Sequence, residues 1–123
     1  MQIIHTNLHV TDLDTTIAFY TEQLGLSESW GFDSPDGTTR HRYVADEAGV
    51  EIQLTKVDGE EELTVGTAWD HLALRVDDVD AAFAAIENHG VVKEPGDQPE
   101  AGVRTAFILD PDGHKIELVG PLE

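Results

Sequence analysis

The side chains best suited to chemistry in this 123-residue chain are imidazoles and carboxylates, because it holds 6 histidines, 25 acidic residues and no cysteine. Without cysteine there is no disulfide framework, thiolate zinc site or thiol nucleophile. His5 and His71 stand in matching contexts 66 residues apart, Ile4-His5-Thr6-Asn7-Leu8 and Asp70-His71-Leu72-Ala73-Leu74. Gln53 and Glu117 form a second matched pair at an offset of 64, in Val50-Glu51-Ile52-Gln53-Leu54 and His114-Lys115-Ile116-Glu117-Leu118. Two imidazoles with one or two oxygen donors suit Zn²⁺, Ni²⁺, Co²⁺, Mn²⁺ or Fe²⁺. So far apart in sequence, they form a site only if the fold brings them together.

The same repeat defines the elements that would position them. In each half the order reads strand, helix, then three short strands. Ile3 to Val10 alternates as a strand, Asp12 or Asp14 can cap a helix over Thr15 to Gln23, and Gly25 supplies its stop. Strands are expected near 26–32, 40–45 and 50–55, separated by Ser34-Pro35-Asp36-Gly37 and Asp46-Glu47-Ala48-Gly49. The second half places strands at 72–76, 91–94, 104–109 and 115–119, with a helix over Val79–Asn88 ending before Gly90. Asp110-Pro111-Asp112-Gly113 reads as the tight turn before the last strand. The expected fold class is therefore α+β: two tandem βαβββ modules forming a curved mixed sheet around a metal-containing cavity. Module one covers about 1–57, an acidic linker about 58–66, and module two about 67–123, together a single domain.

Side chains alternate faces along a strand. His5, Asn7 and His9 therefore share a face, as do His71, Ala73 and Arg75. Gln53 shares its face with Glu51 and Thr55, and Glu117 with Lys115 and Val119.

The net charge of −18 opposes binding to nucleic acid and to anionic lipid, both of which depend on Lys and Arg. No apolar run approaches membrane-spanning length. The chain enters a strand pattern without a signal-peptide core, so a cytoplasmic location is expected. The acids are dispersed beside a regular apolar pattern, and the lysines are only Lys56, Lys93 and Lys115. That balance matches adaptation to a very salty cytoplasm, where screening relieves self-repulsion.

Three motifs carry a family resemblance: His5 through Leu26, Gly66-Thr67-Ala68-Trp69-Asp70-His71-Leu72-Ala73-Leu74, and Asp110-Pro111-Asp112-Gly113-His114-Lys115-Ile116-Glu117-Leu118. In this order they resemble the glyoxalase I/bleomycin-resistance/extradiol-dioxygenase group, the vicinal oxygen chelate superfamily, and most nearly its bacterial-type glyoxalase I members. The resemblance implies one divalent metal per site, held by His5, Gln53, His71 and Glu117. It implies a lyase that isomerises the hemithioacetal of a 2-oxoaldehyde and a thiol into a 2-hydroxyacyl thioester. The metal would be nickel, cobalt, zinc or manganese, and the proton would pass between adjacent carbons through an enediolate with Glu117 as the base. Members of this length commonly form homodimers in which His5 and Gln53 come from one subunit and His71 and Glu117 from the other.

Departures from the family pattern bear on the substrate. Bacterial glyoxalase I usually has glutamate where this chain has Gln53, and the His, Gln, His, Glu order resembles methylmalonyl-CoA epimerase. The position of the family's glutathione-carboxylate arginine holds His9, and that of its glutathione-contacting asparagine holds Val57. A thiol smaller than glutathione, such as γ-glutamylcysteine, follows from those changes. Arg75 shares the parity of His71 and favours an anionic small-molecule substrate, as would Arg40, Arg42 or Arg104. Trp69, just before His71, suits either a ligand pocket or a subunit contact, whereas His41, His89 and His114 have weaker claims to a role. Two other readings use the same fold: an Fe(II) extradiol dioxygenase held by His5, His71 and Glu117, and a metal-free binding protein of the bleomycin-resistance kind.

Overall fold

Alternating and β-branched stretches become eight strands in a computed structural model that describes residues 1–123. The first half contains β1 (His5–His9), α1 (Leu13–Ala18), β2 (Ser27–Asp33), β3 (Thr39–Ala45) and β4 (Glu51–Val57). The second contains β5 (His71–Arg75), α2 (Val79–Ala85), β6 (Val91–Gln98), β7 (Val103–Leu109) and β8 (Lys115–Gly120). The chain divides into two compact units, Met1–Thr64 and Val65–Glu123. Each unit has its own four-stranded mixed sheet, ordered β1-β4-β3-β2 in the first and β5-β8-β7-β6 in the second. The βαβββ order thus occurs twice, with one parallel pair per sheet, β1 with β4 and β5 with β8.

Alternation sends the aliphatic residues of each sheet to the face its helix covers. In the first unit Leu8, Val44, Ile52 and Leu54 are buried together with Leu13, Thr16, Phe19 and Tyr20. In the second, Ala106, Ile108, Ile116 and Leu118 are fully buried, and Val79 of α2 is nearly so. Asp12 and Asp78 both cap their helices, accepting the backbone N–H of Thr15 and Ala81 at 3.0 Å. The central strands β4 and β8 show the division most clearly, with Ile52 and Leu54, and Ile116 and Leu118, buried on the face opposite Gln53 and Glu117.

Three elements differ from the sequence expectation. The helix after Asp12 does not run regularly to Gln23, because Phe19–Gln23 opens into a π turn with Leu24 N–H donating to Phe19 O. The wider turn accompanies burial of both neighbouring rings, Phe19 and Tyr20, and the Thr21 hydroxyl donates back to Ile17 O at 2.8 Å. The second helix stops at Ala85 rather than Asn88, with Ile86 already extended. There the sheet wins over the helix, since His89 N–H donates to Leu109 O and Leu109 N–H to Gly90 O. β6 continues to Gln98 through Pro95 and Gly96, with register shifts on either side of Lys93. It lies at a sheet edge, where proline's missing N–H costs no ladder bond. No helix is long and apolar enough to cross a membrane.

Candidate metal and substrate site

Strand pairing puts the matched residues on the polar face of each sheet. In the first unit Asn7 lies opposite Gln53, Gln53 opposite Tyr43, and Thr55 opposite His41. His5, Asn7, His9, His41, Tyr43, Gln53 and Thr55 consequently share one face. In the second unit Glu117 lies between Ala73 and Phe107, so it shares a face with His71 and Arg75. An aromatic ring meets the leading histidine edge-on in both units, Tyr43 against His5 at 5.7 Å and Phe107 against His71 at 5.2 Å.

The second unit joins its two candidate ligands directly. His71 Nε2 and Glu117 Oε1 are 3.1 Å apart, half-buried, while His71 Nδ1 meets Asp70 Oδ2 at 2.6 Å. Asp70 in turn accepts from Lys115 Nζ at 3.4 Å. Hydrogen bonding from His71, with help from Lys115, holds the Asp70 carboxyl below the usual carboxylate range. A carboxylate behind a histidine fixes the tautomer with Nδ1–H outward and leaves Nε2 as a donor atom for metal. Two donors each about 2.1 Å from one cation lie roughly 3 Å from each other. The His71–Glu117 pair and its Asp70 support therefore fit a divalent metal in separation, chemistry and tautomer.

In the first unit the site face is more open. His5 is exposed, and Gln53 is half-buried with its Nε2 3.0 Å from His41 Nδ1. His41 Nδ1 also lies 2.9 Å from Thr55 Oγ1, which accepts from Asn7 Nδ2 at 2.7 Å. Neither unit by itself gathers three histidine or carboxylate side chains into a metal cluster. His41 joins the site face of the first unit although its sequence context gives it only a weak claim to a role. Its place on the face of Gln53 follows from the β3–β4 register, and its match in the second module is Thr105, so the repeat gives it no emphasis.

The residues expected to meet substrate have different surroundings. His9 Nδ1 is 2.7 Å from Glu60 Oε1, so Glu60 of the acidic segment is an internal partner rather than merely a solvated residue. Arg75 is exposed on the face of Glu117. Trp69 is half-buried and meets His114 edge-on at 6.3 Å. Arg104, Arg42 and Arg40 lie across from Gly120, Leu54 and Lys56, on the face opposite the candidate ligands. Arg104 is tied to Asp80, Asp97 and Glu123, and Arg42 to Asp33. The Asp110–Gly113 motif forms its turn, with Asp110 Oδ1 accepting from the backbone of Asp112 and His114 and Oδ2 2.8 Å from His114 Nδ1.

A twofold βαβββ repeat with a histidine opening each first strand and an oxygen donor at the middle of each last strand defines a class of enzyme folds. Residues 2–118 match the profile of the Glyoxalase/Bleomycin resistance protein/Dioxygenase superfamily, and the chain belongs to that family. It is 37% identical to the lactoylglutathione lyase of Haemophilus influenzae over 97% of this chain and 92% of that protein. It is 34% identical to a probable lactoylglutathione lyase of Synechocystis over 97% of this chain and 95% of that one. Among solved structures, maize glyoxalase I superposes with a TM-score of 0.88 at 28% identity, covering 99% of this chain and 45% of the maize chain. The trypanothione-dependent glyoxalase I of Leishmania major gives 0.79 at 32% identity, over 98% and 86% of the two chains.

Proposed function

We propose that this protein is a metal-dependent glyoxalase I-like lyase that converts the hemithioacetal of a 2-oxoaldehyde and a thiol into a 2-hydroxyacyl thioester. The observation that carries the reading is the approach of His71 Nε2 and Glu117 Oε1 to 3.1 Å with Asp70 bound behind the imidazole. The likeness to named lactoylglutathione lyases supports the reaction class. His5, Gln53, His71 and Glu117 would hold one divalent ion, nickel, cobalt, zinc or manganese. When bound, that ion would supply Lewis-acid polarisation of the substrate's adjacent oxygens. Glu117 removes the proton from the carbon bearing sulfur and oxygen and returns it to the neighbouring carbon. The reaction is an isomerisation, and no other reactant is consumed.

The two modules and their linker, residues 1–123, act in this reading as a single domain around one metal-containing cavity. The four ligands come either from one chain or from two subunits of a homodimer, with His5 and Gln53 from one and His71 and Glu117 from the other. Arg75, His9 and Trp69 are proposed to contact an anionic small-molecule substrate. Glu60 engages His9 at Nδ1, so in this reading substrate meets His9 only at its other ring nitrogen, and a thiol smaller than glutathione is favoured.

The test is elemental analysis of protein purified in high salt without added metal, followed by hemithioacetal assays with methylglyoxal and several thiols. Near-stoichiometric nickel, cobalt, zinc or manganese with thioester formation is expected. Failure to take up any metal on reconstitution would sink the four-ligand site. Gln53 in place of a glutamate favours one second reading, an epimerase acting beside an acyl-CoA thioester, and exchange of the substrate's α-proton with solvent deuterium would reveal it.

A further inference from the structure

We propose that His41 is a positioning residue that orients the amide of Gln53 so that its carbonyl oxygen is presented to the divalent metal. The inference rests on the metal reading above and adds a residue to it. An amide nitrogen only donates, so at 3.0 Å from Gln53 Nε2 the His41 Nδ1 is the acceptor. Thr55 Oγ1 accepts from Asn7 Nδ2 and lies 2.9 Å from the same Nδ1. Asn7 therefore donates to Thr55, and the Gln53 amide nitrogen, which has no lone pair to offer, donates to His41 Nδ1. His41 carries its proton on Nε2, and Gln53 Oε1 stays outside the network.

A glutamine amide has two orientations of nearly equal shape, and only one offers oxygen on a given side. An acceptor beside the nitrogen selects between them. Phe32 stacks on the His41 ring at 4.5 Å and holds the imidazole in place. A glutamate needs no such selection, because both its oxygens are donors to metal. The chain contains its own control. Glu117, the matched oxygen donor, has Thr105 rather than histidine at the position corresponding to His41. On the hairpin neighbour, an imidazole therefore accompanies the amide ligand, whereas a threonine stands at the matching position beside the carboxylate ligand.

The experiment is a Co²⁺ titration of the full-length protein in high salt, read by dissociation constant and by the d–d absorption spectrum. His41→Leu and His41→Asn are each made in the Gln53 and the Gln53→Glu backgrounds, with folding checked by circular dichroism. His41→Leu is expected to weaken Co²⁺ binding by about 10-fold or more and to alter the spectrum. Asparagine, which can accept from the Gln53 amide, is expected to restore most of both. In the Gln53→Glu background His41→Leu should change affinity by less than about twofold. Equal losses in both backgrounds, or an unchanged constant and spectrum in folded His41→Leu protein, would overturn the proposal while leaving the metal reading intact. Absence of Co²⁺ binding by the parent protein would overturn both.

Discussion

Asp70 shows how a residue outside the proposed ligand set can govern one inside it. Its carboxylate holds His71 Nδ1 at 2.6 Å, which fixes both the ring and the tautomer. Asp70→Asn keeps the shape and loses the charge, and an outer-shell change of this kind costs about 10- to 100-fold in metal affinity. Competition against a chelator of known affinity measures that loss, and an unchanged constant would remove Asp70 from the site. Glu117→Gln separates the ligand role from the base role. An amide oxygen already stands at the matched position 53, so the substituted protein should keep its metal while kcat falls by about 10²–10⁴-fold. Metal content and turnover, measured on the same preparation, decide between that outcome and simple loss of the ion.

At the scale of elements, what the sequence made legible was whatever the repeat and the strand period determine. His71 and Glu117 could be assigned one face each from parity, and their approach then follows from strands β5 and β8 pairing in parallel. His41 was less legible because its partnership runs across the β3–β4 hairpin, whose register depends on the turn rather than on the repeat. The π turn at Phe19 and the early end of α2 were hidden for a different reason. Tertiary burial and sheet pairing override helical periodicity at both places.

Caps and ion pairs make two further expectations testable on these elements. Asp12 and Asp78 cap with almost identical backbone angles, φ −143° in both. Asp12→Ala and Asp78→Ala should each cost about 1 kcal/mol in chemical unfolding, and a null effect at either would show that cap to be dispensable. The tie between α2 and β7 is the Arg104–Asp80 pair, with Nε to Oδ2 at 2.7 Å and Nη2 to Oδ1 at 3.1 Å. Arg104 holds the Asp80 carboxyl below the usual carboxylate range. A carboxyl lowered on folding stabilises at pH values above its unfolded pKa, and that contribution fades as pH falls through the lowered value. The difference in melting temperature between the parent and Arg104→Met should therefore be full near neutrality and shrink below about pH 4. A difference that stays constant down to pH 2 would mean that Arg104 acts through packing alone.

For the whole molecule, the dominant electrostatic fact is 25 acidic side chains against 7 basic ones. Much of the scarce positive charge is already committed. Arg104 serves Asp80, Asp97 and Glu123, Arg42 serves Asp33, Lys115 reaches Asp70, and Lys56 lies 3.8 Å from Glu61. Most acids are left to repel one another, and repulsion between exposed charges is the interaction that salt weakens most readily. The Debye length falls from about 10 Å at 0.1 M salt to about 3 Å at 1 M. Screening also weakens the ion pairs, but these are few and several are short. The balance should favour the folded state as salt rises, with a higher melting temperature in 2 M than in 0.1 M KCl. NaCl and choline chloride at matched ionic strength should act similarly if screening is the cause. Sulfate salts are unsuitable, since they strengthen apolar burial by exclusion from the surface. A melting temperature that is flat or falls with KCl would show that acidic self-repulsion does not limit this fold. A rise with K⁺ but not choline would instead indicate specific cation binding by the carboxylates.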